Sequence, residues 1–272
     1  MDYIPKIIHY CWFGGKPLPE LAQKCIASWK KYCPDYEIKE WNESNIDLAS
    51  VDYMREAYEE KVWGFVPDVA RLQIIYNNGG IYLDTDVEII RPITELINNA
   101  FIGIEEGGSE GEYYVNLGLG FGAEKGNELI GYLLDDYSKR HFRNDDGTLD
   151  RTPSPCIQTR ALIQRGFSPK NFMQEVSGVI IYPMEYFCPL SYRTGVINIT
   201  KNTYSIHHYN ASWLTDDEKY LAKMHQQICR HWGVLAKIIW PFVRLKYEIK
   251  RVGIQEAFQI GMRKFKNRNR NT

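Results

Sequence analysis

The chain has 272 residues, 44% of them apolar and 14% aromatic, a composition that excludes disorder and suffices for one large folded domain with an appendage. Six cysteines, at 11, 25, 33, 156, 188 and 229, form no Cys-x-x-Cys pair, so neither a zinc ribbon nor a redox dithiol is expected and the thiols are read as reduced. The net charge of −1 conceals a division: from Lys237 onward ten basic residues stand against two acidic ones, a net +8 that leaves −9 for the rest and predicts an anionic partner for the tail.

Residues 1–6 lack the basic region and apolar run of a signal peptide, which predicts a cytoplasmic protein. Residues 4–15 read as a buried strand ending at Gly14-Gly15, with Trp12 near its end and His9 as a core histidine. An amphipathic helix over 19–32, a strand over 36–41 and a helix over 50–61 follow, the opening of an α/β sheet. In such sheets ligands bind beyond the carboxyl ends of the strands. Residues 67–78 form a helix with Pro67 in its first turn and Gly79-Gly80 at its end, and Asp68 and Arg71, three apart, share one of its faces. From 81 to 89 apolar residues alternate with Tyr82, Asp84, Asp86 and Glu88, predicting one strand whose polar face carries two neighbouring carboxylates. Such a pair needs a proton or a cation, and an all-oxygen site suits Mg2+ or Mn2+.

Asp68-x-x-Arg71 followed by Gly79-Gly80-Ile81-Tyr82-Leu83-Asp84-x-Asp86 resembles the sugar-nucleotide site of family 32 glycosyltransferases and the related glucosyltransferase domains of clostridial toxins. The resemblance spans about residues 4–213 and implies a GT-A-like α/β domain with a mixed central sheet. It implies that Asp86 binds Mn2+ or Mg2+ on the donor diphosphate and that Asp84 contacts ribose, sugar and the metal's water shell. Asp68 and Arg71 would hold the donor sugar, Tyr82 would line the pocket, and Trp12 would stack on the base.

Further along, a helix over 93–99, a strand over 101–105, a Gly-rich acidic loop over 107–112, a strand over 116–123 and a helix over 126–140 are expected. By the same resemblance Asn116 is a candidate sugar-contact residue, with a turn-forming Asn as the alternative. The polar connection 141–155 reads as a turn on the acceptor side, lacking the ligand spacing of a calcium loop. A helix from 153 to 162 carries Ser154 where the family pattern has Gly. Short strands fill 176–206 and lead to His207-His208-Tyr209-Asn210-Ala211-Ser212-Trp213. The resemblance assigns the metal to Asp86 and His208, with His207 and Asn210 as alternatives, and makes Ser212 and Trp213 a lid over the diphosphate. Domain limits of 1–215 and 216–272 follow. In the tail, Leu235, Ile238, Phe242, Leu245, Ile249 and Val252 keep helical spacing, interrupted at Pro241, and Ile254, Phe258, Met262 and Phe265 repeat it. A basic amphipathic helix of this kind fits in-plane attachment to an anionic membrane surface.

The expectation is a metal-dependent retaining glycosyltransferase that uses a nucleoside diphosphate sugar, UDP-linked by preference. Its acceptor would be a lipid-linked oligosaccharide or a lipopolysaccharide or capsule precursor at the inner face of the plasma membrane. No nucleic-acid partner is expected. A non-catalytic carbohydrate- or nucleotide-binding module is the alternative. An aspartate-based phosphatase is disfavoured by Glu88, which stands where that motif has Thr or Val.

Overall fold

The computed structural model describes residues 4–254 and 256, apart from 108, 110 and 211–214. The chain divides into two compact units, Met1–Tyr192 with Ile197–Trp213, and Arg193–Val196 with Leu214–Thr272.

The first unit opens as β1 (Ile7–Cys11), α1 (Glu20–Tyr32), β2 (Glu37–Trp41), α2 (Asp52–Glu59) and α3 (Val66–Asn78). It continues through β3 (Gly80–Tyr82), β4 (Val87–Ile89), β5 (Phe101–Glu106), β6 (Tyr113–Ala123), α4 (Glu128–Ser138) and α5 (Ser154–Ile163) to β7 (Gln174–Val176), β8 (Val179–Tyr182) and β9 (Ser205–His207). Seven strands form one mixed sheet in the order β2-β1-β3-β6-β5-β8-β7. The strands β2, β1 and β3 are parallel, whereas β6 runs antiparallel to both of its neighbours. A separate antiparallel pair, β4 and β9, sits in register Val87 to His207.

Local signals explain the helix ends. Pro67 occupies the first turn of α3, where its missing N–H costs nothing. The Asn127 side-chain oxygen Oδ1 accepts from the N–H groups of Leu129 and Ile130 and starts α4. Gly80, at φ +105°, lets α3 turn into β3 at a point where a Cβ would lie 2.8 Å from the Ile7 carbonyl.

Each face of the sheet is covered by its own core. Tyr82, Phe121 and the apolar side of α3 lie in one; Ile81, Leu83, Trp29 of α1 and Phe187 lie in the other. This placement corrects the reading of 81–89 as a single half-exposed strand. The strand β3 is central, so both of its faces are buried, and the chain leaves it after Tyr82, turns through Asp84–Asp86 and begins β4 in the second sheet. Two other expectations change: 93–99 reduces to a 3-10 turn at Leu96–Asn98, and most of 183–204 is irregular rather than strand.

The second unit is a pair of helices, α6 (Asp216–Trp232) and α7 (Ala236–Val252), joined by a 3-10 turn. A capping box formed by Thr215 and Glu218 starts α6. The predicted break at Pro241 is absent; α7 runs through it, giving up the N–H that would reach the Lys237 carbonyl. Of the pattern expected after Gly253, Phe258, Met262 and Phe265 lie outside the described residues.

Candidate sugar-nucleotide site

The parallel strands β1 and β3 end side by side, and the Leu83 N–H donates to the His9 carbonyl just past the pairing. The chain then makes a tight turn in which the Val87 N–H donates to the Asp84 carbonyl at 3.0 Å. That turn holds Asp84 and Asp86 at the carboxyl end of the sheet, where an α/β fold leaves room for ligands. From α3, Arg71 reaches the same place. Its Nε donates to the Pro67 carbonyl at 2.9 Å, one terminal nitrogen pairs with Asp68, and the other lies 3.7 Å from Asp84 Oδ2. Asp68 and Arg71 are both 3% exposed, so this is a desolvated ion pair built into the wall rather than a surface contact.

Tyr82 does not line open space as expected. It is 1% exposed, packs on Phe121, and supports Arg71, whose guanidinium lies 5.5 Å from its ring centre. Its place on a central strand puts the ring in the core.

One atom each of Asp84, Asp86 and His207 lies within 4.8 Å of the others, a set able to hold a divalent cation. His207 Nε2 is 3.2 Å from Asp86 Oδ1, while Asp86 Oδ2 accepts from the Asn210 N–H at 2.8 Å. The histidine of the pair therefore differs from the one predicted. His207 closes the antiparallel register opposite Val87, whereas His208 Nε2 meets Glu88 at 2.8 Å, with Lys24 on the same carboxylate. His208 contributes only its backbone N–H, to the Asp86 carbonyl. Asn210 likewise enters through its backbone. His207 Nδ1 is buried without a hydrogen-bond partner among the described residues, so its ring is oriented by packing on Tyr209, 4.4 Å between centres.

The electrostatics fit a cation. Burial pushes the Asp84 carboxyl above the usual range against the pull of Arg71. Burial opposes ionisation of Asp86 too, but His207 and the Asn210 N–H outweigh it and hold that carboxyl at about 2. Burial by itself would lower His207; Asp86 instead pushes the imidazole up to about 9. Asp68 rises to about 6 because burial outweighs Arg71. A dication replacing the shared proton between His207 and Asp86 would satisfy all three groups, and an imidazole with two carboxylates is a donor set that Mn2+ accepts.

Asn116 is part of this wall. It is 7% exposed; its oxygen accepts from the Gly118 N–H at 2.7 Å and its amide donates to Glu105 at 2.8 Å. Gly118 is required by close approach: a Cβ there would lie 2.3 Å from Asp84 Oδ2 and 3.1 Å from Arg71 Nη1. The residue that sequence reasoning passed over is Glu105. Only 8% exposed, it also accepts from the Tyr209 hydroxyl at 3.3 Å, and so ties Asn116 to the residue that packs on His207. An acid ending the apolar run Phe101–Ile104 was the available signal. Trp12 stands half-buried at the end of β1, its indole N–H held by the Lys16 carbonyl. Ser212 and Trp213 lie outside the described residues.

Residues 19–102 match the family described as the glycosyltransferase sugar-binding region containing the DXD motif, in agreement with the family 32 resemblance. The chain is 34% identical over 102 residues to inositol phosphoceramide mannosyltransferase 3 of Schizosaccharomyces pombe, covering 35% of this chain and 28% of that protein. It is 26% identical over 169 residues to subversion of eukaryotic traffic protein A of Legionella pneumophila, covering 52% of this chain and 26% of that one. The chain thus spans about a quarter of the length of these relatives. Among solved structures, the PaToxG glycosyltransferase aligns with a TM-score of 0.45 and 20% identity over 60% of this chain and 70% of that one.

Proposed function

We propose that this chain, in which residues 19–102 form a DXD-type glycosyltransferase region, moves a sugar from a nucleoside diphosphate sugar to a glycan acceptor. A UDP-sugar is the favoured donor and Mn2+ or Mg2+ the favoured cation. The observation that carries this reading is the convergence of Asp84, Asp86 and His207 beside the buried Asp68–Arg71 pair.

Asp84, Asp86 and His207 would hold the cation, which when bound supplies positive charge for the departing diphosphate. The chain's own residues do the rest. Arg71, fixed by Asp68, Pro67 and Tyr82, offers a rigid guanidinium whose remaining N–H faces donor hydroxyls. Asp84 accepts from ribose or sugar hydroxyls with its second oxygen. Asn116, held by Gly118 and Glu105, presents its amide to the same sugar. This wall orients the anomeric carbon before the acceptor hydroxyl attacks, a gain in proximity rather than in acid–base chemistry. Trp12 would hold the base, Ser212 and Trp213 would close over the diphosphate, and retention of anomeric configuration is what the family resemblance implies. A lipid-linked oligosaccharide or polysaccharide precursor is the acceptor class that suits the basic tail.

The test is release of nucleoside diphosphate from a panel of UDP- and GDP-sugars, with metal and with EDTA. Turnover with one donor class, lost in EDTA and in Asp86→Asn while the circular dichroism is unchanged, is the expected result. Undiminished turnover in Asp86→Asn would refute the site.

A further inference from the structure

The helix α7 carries two opposed faces, and among the described residues only one of them is used. Towards α6 it presents Trp240, Tyr247 and Arg251: Trp240 packs on His225, Tyr247 packs on Tyr220 and donates to Asp217 at 3.0 Å, and Arg251 meets Asp217 at 3.2 Å. These positions recur at seven and four residues and mark one side of the helix. On the opposite side lie Leu235, Ile238 and Phe242, 54%, 63% and 70% exposed, with Val234 at 70% and Trp232 at 56% just before them. Large apolar side chains so exposed and so contiguous are uncommon on a soluble surface.

The charges around that stripe say what covers it. At 3.6 residues per turn, Lys246 and Lys250 fall on one flank of the stripe, whereas Lys237 and Arg244 lie towards the α6 side. Lys237, Lys246 and Lys250 have no ion-pair partner among the described residues, so their charge is not spent within the fold. The sequence beyond continues with Arg263, Lys264, Lys266, Arg268 and Arg270. Apolar groups bordered by lysines whose ammonium groups can snorkel match the boundary of an anionic bilayer, acyl chains below and headgroup phosphates around. A protein partner would need a matching acidic rim, whereas a lipid surface supplies negative charge in every direction. No helix among the described residues is long and apolar enough to cross a membrane, and α7 has 17 residues with charges throughout.

We infer that α7 lies in the plane of an anionic lipid surface, with Leu235, Ile238 and Phe242 inserted and Lys246 and Lys250 on the headgroups. The inference stands on α7 and is independent of the donor site. It is tested on the full chain by co-sedimentation with vesicles of phosphatidylcholine alone or mixed with phosphatidylglycerol, without donor or metal. Binding is expected to the mixed vesicles, to weaken with added salt, and to fall about twentyfold or more in Lys246→Glu/Lys250→Glu, since each basic residue near such a surface contributes about fivefold. Ile238→Asp/Phe242→Asp is expected to lose binding while keeping the helical signal and donor turnover of the parent. Equal binding to both vesicle types, or binding unaffected by either double variant, would overturn the inference. So would a concentration-dependent dimer abolished by Ile238→Asp/Phe242→Asp with no vesicle binding in the parent.

Discussion

His207 and His208 show how much one residue decides. They are adjacent in sequence, yet strand register places the first beside Asp84 and Asp86 and sends the second to Glu88. The sequence offered the pair, and the parity of β9 against β4 selects between them. His207→Ala is therefore expected to abolish metal-dependent stabilisation by donor, read as the loss of a thermal shift with Mn2+ and the donor. His208→Ala, which removes only the contact with Glu88, is expected to keep most of that shift. Equal losses in the two variants would contradict the assignment. Gly118 makes a second point. An alanine there would press on Asp84 Oδ2 at 2.3 Å and on Asn116 Oδ1 at 2.9 Å, and a displacement of this size in a positioned group costs about a hundredfold in turnover. Gly118→Ala should fold and fail, as measured by diphosphate release beside a normal unfolding curve.

At the scale of elements, most helices and their limits were legible because caps and apolar spacing are local, the segment 93–99 and the break at Pro241 being the exceptions. Pro67, the Gly79-Gly80 pair and the stripe of α1 sufficed. The Asp-x-Asp strand was misread for a non-local reason: alternation describes a strand with one wet face, and β3 has none because β1 and β6 flank it and both sheet faces are covered. Glu105 was missed because its role comes from β6 and the loop after β9, which no local pattern connects. His9 links elements in a way the sequence did not disclose. Its Nε2 lies 3.0 Å from the Gly79 carbonyl and its Nδ1 accepts from the Trp41 indole at 3.0 Å, so the neutral ring joins β1, β2 and the end of α3. Burial lowers its pKa from 6.5 to about 4, and protonating Nδ1 would break the Trp41 bond. The unfolded chain therefore takes up a proton first as pH falls. The stability from this ring is complete above pH 6.5 and is lost through the window down to about 4, by up to about 3 kcal/mol. Urea unfolding across that window should show the loss in the parent and not in His9→Gln; identical pH slopes would contradict it. Glu56 of α2 is a second such tie, accepting from the N–H groups of Phe142 and Arg143 at 2.8 and 2.9 Å and from His141. Glu56→Ala leaves buried donors unpaired and should cost about 2–4 kcal/mol in urea unfolding, without changing donor binding.

For the whole molecule, the mixed α/β sheet and the helical C-terminal part agree with the expectation from sequence. The site lies where parallel strands end, so the fold concentrates two acids, a histidine and a buried guanidinium at the carboxyl end of the sheet. The central claim is that this end of the sheet is a metal-dependent donor site. The measurement that tests it most directly is diphosphate release from UDP- and GDP-sugars with Mn2+, run side by side on the parent and Asp86→Asn. The account predicts turnover of one donor class in the parent, abolished by EDTA, and loss of about a hundredfold or more in the variant with the fold intact. Turnover in both proteins, or turnover indifferent to EDTA, would contradict it.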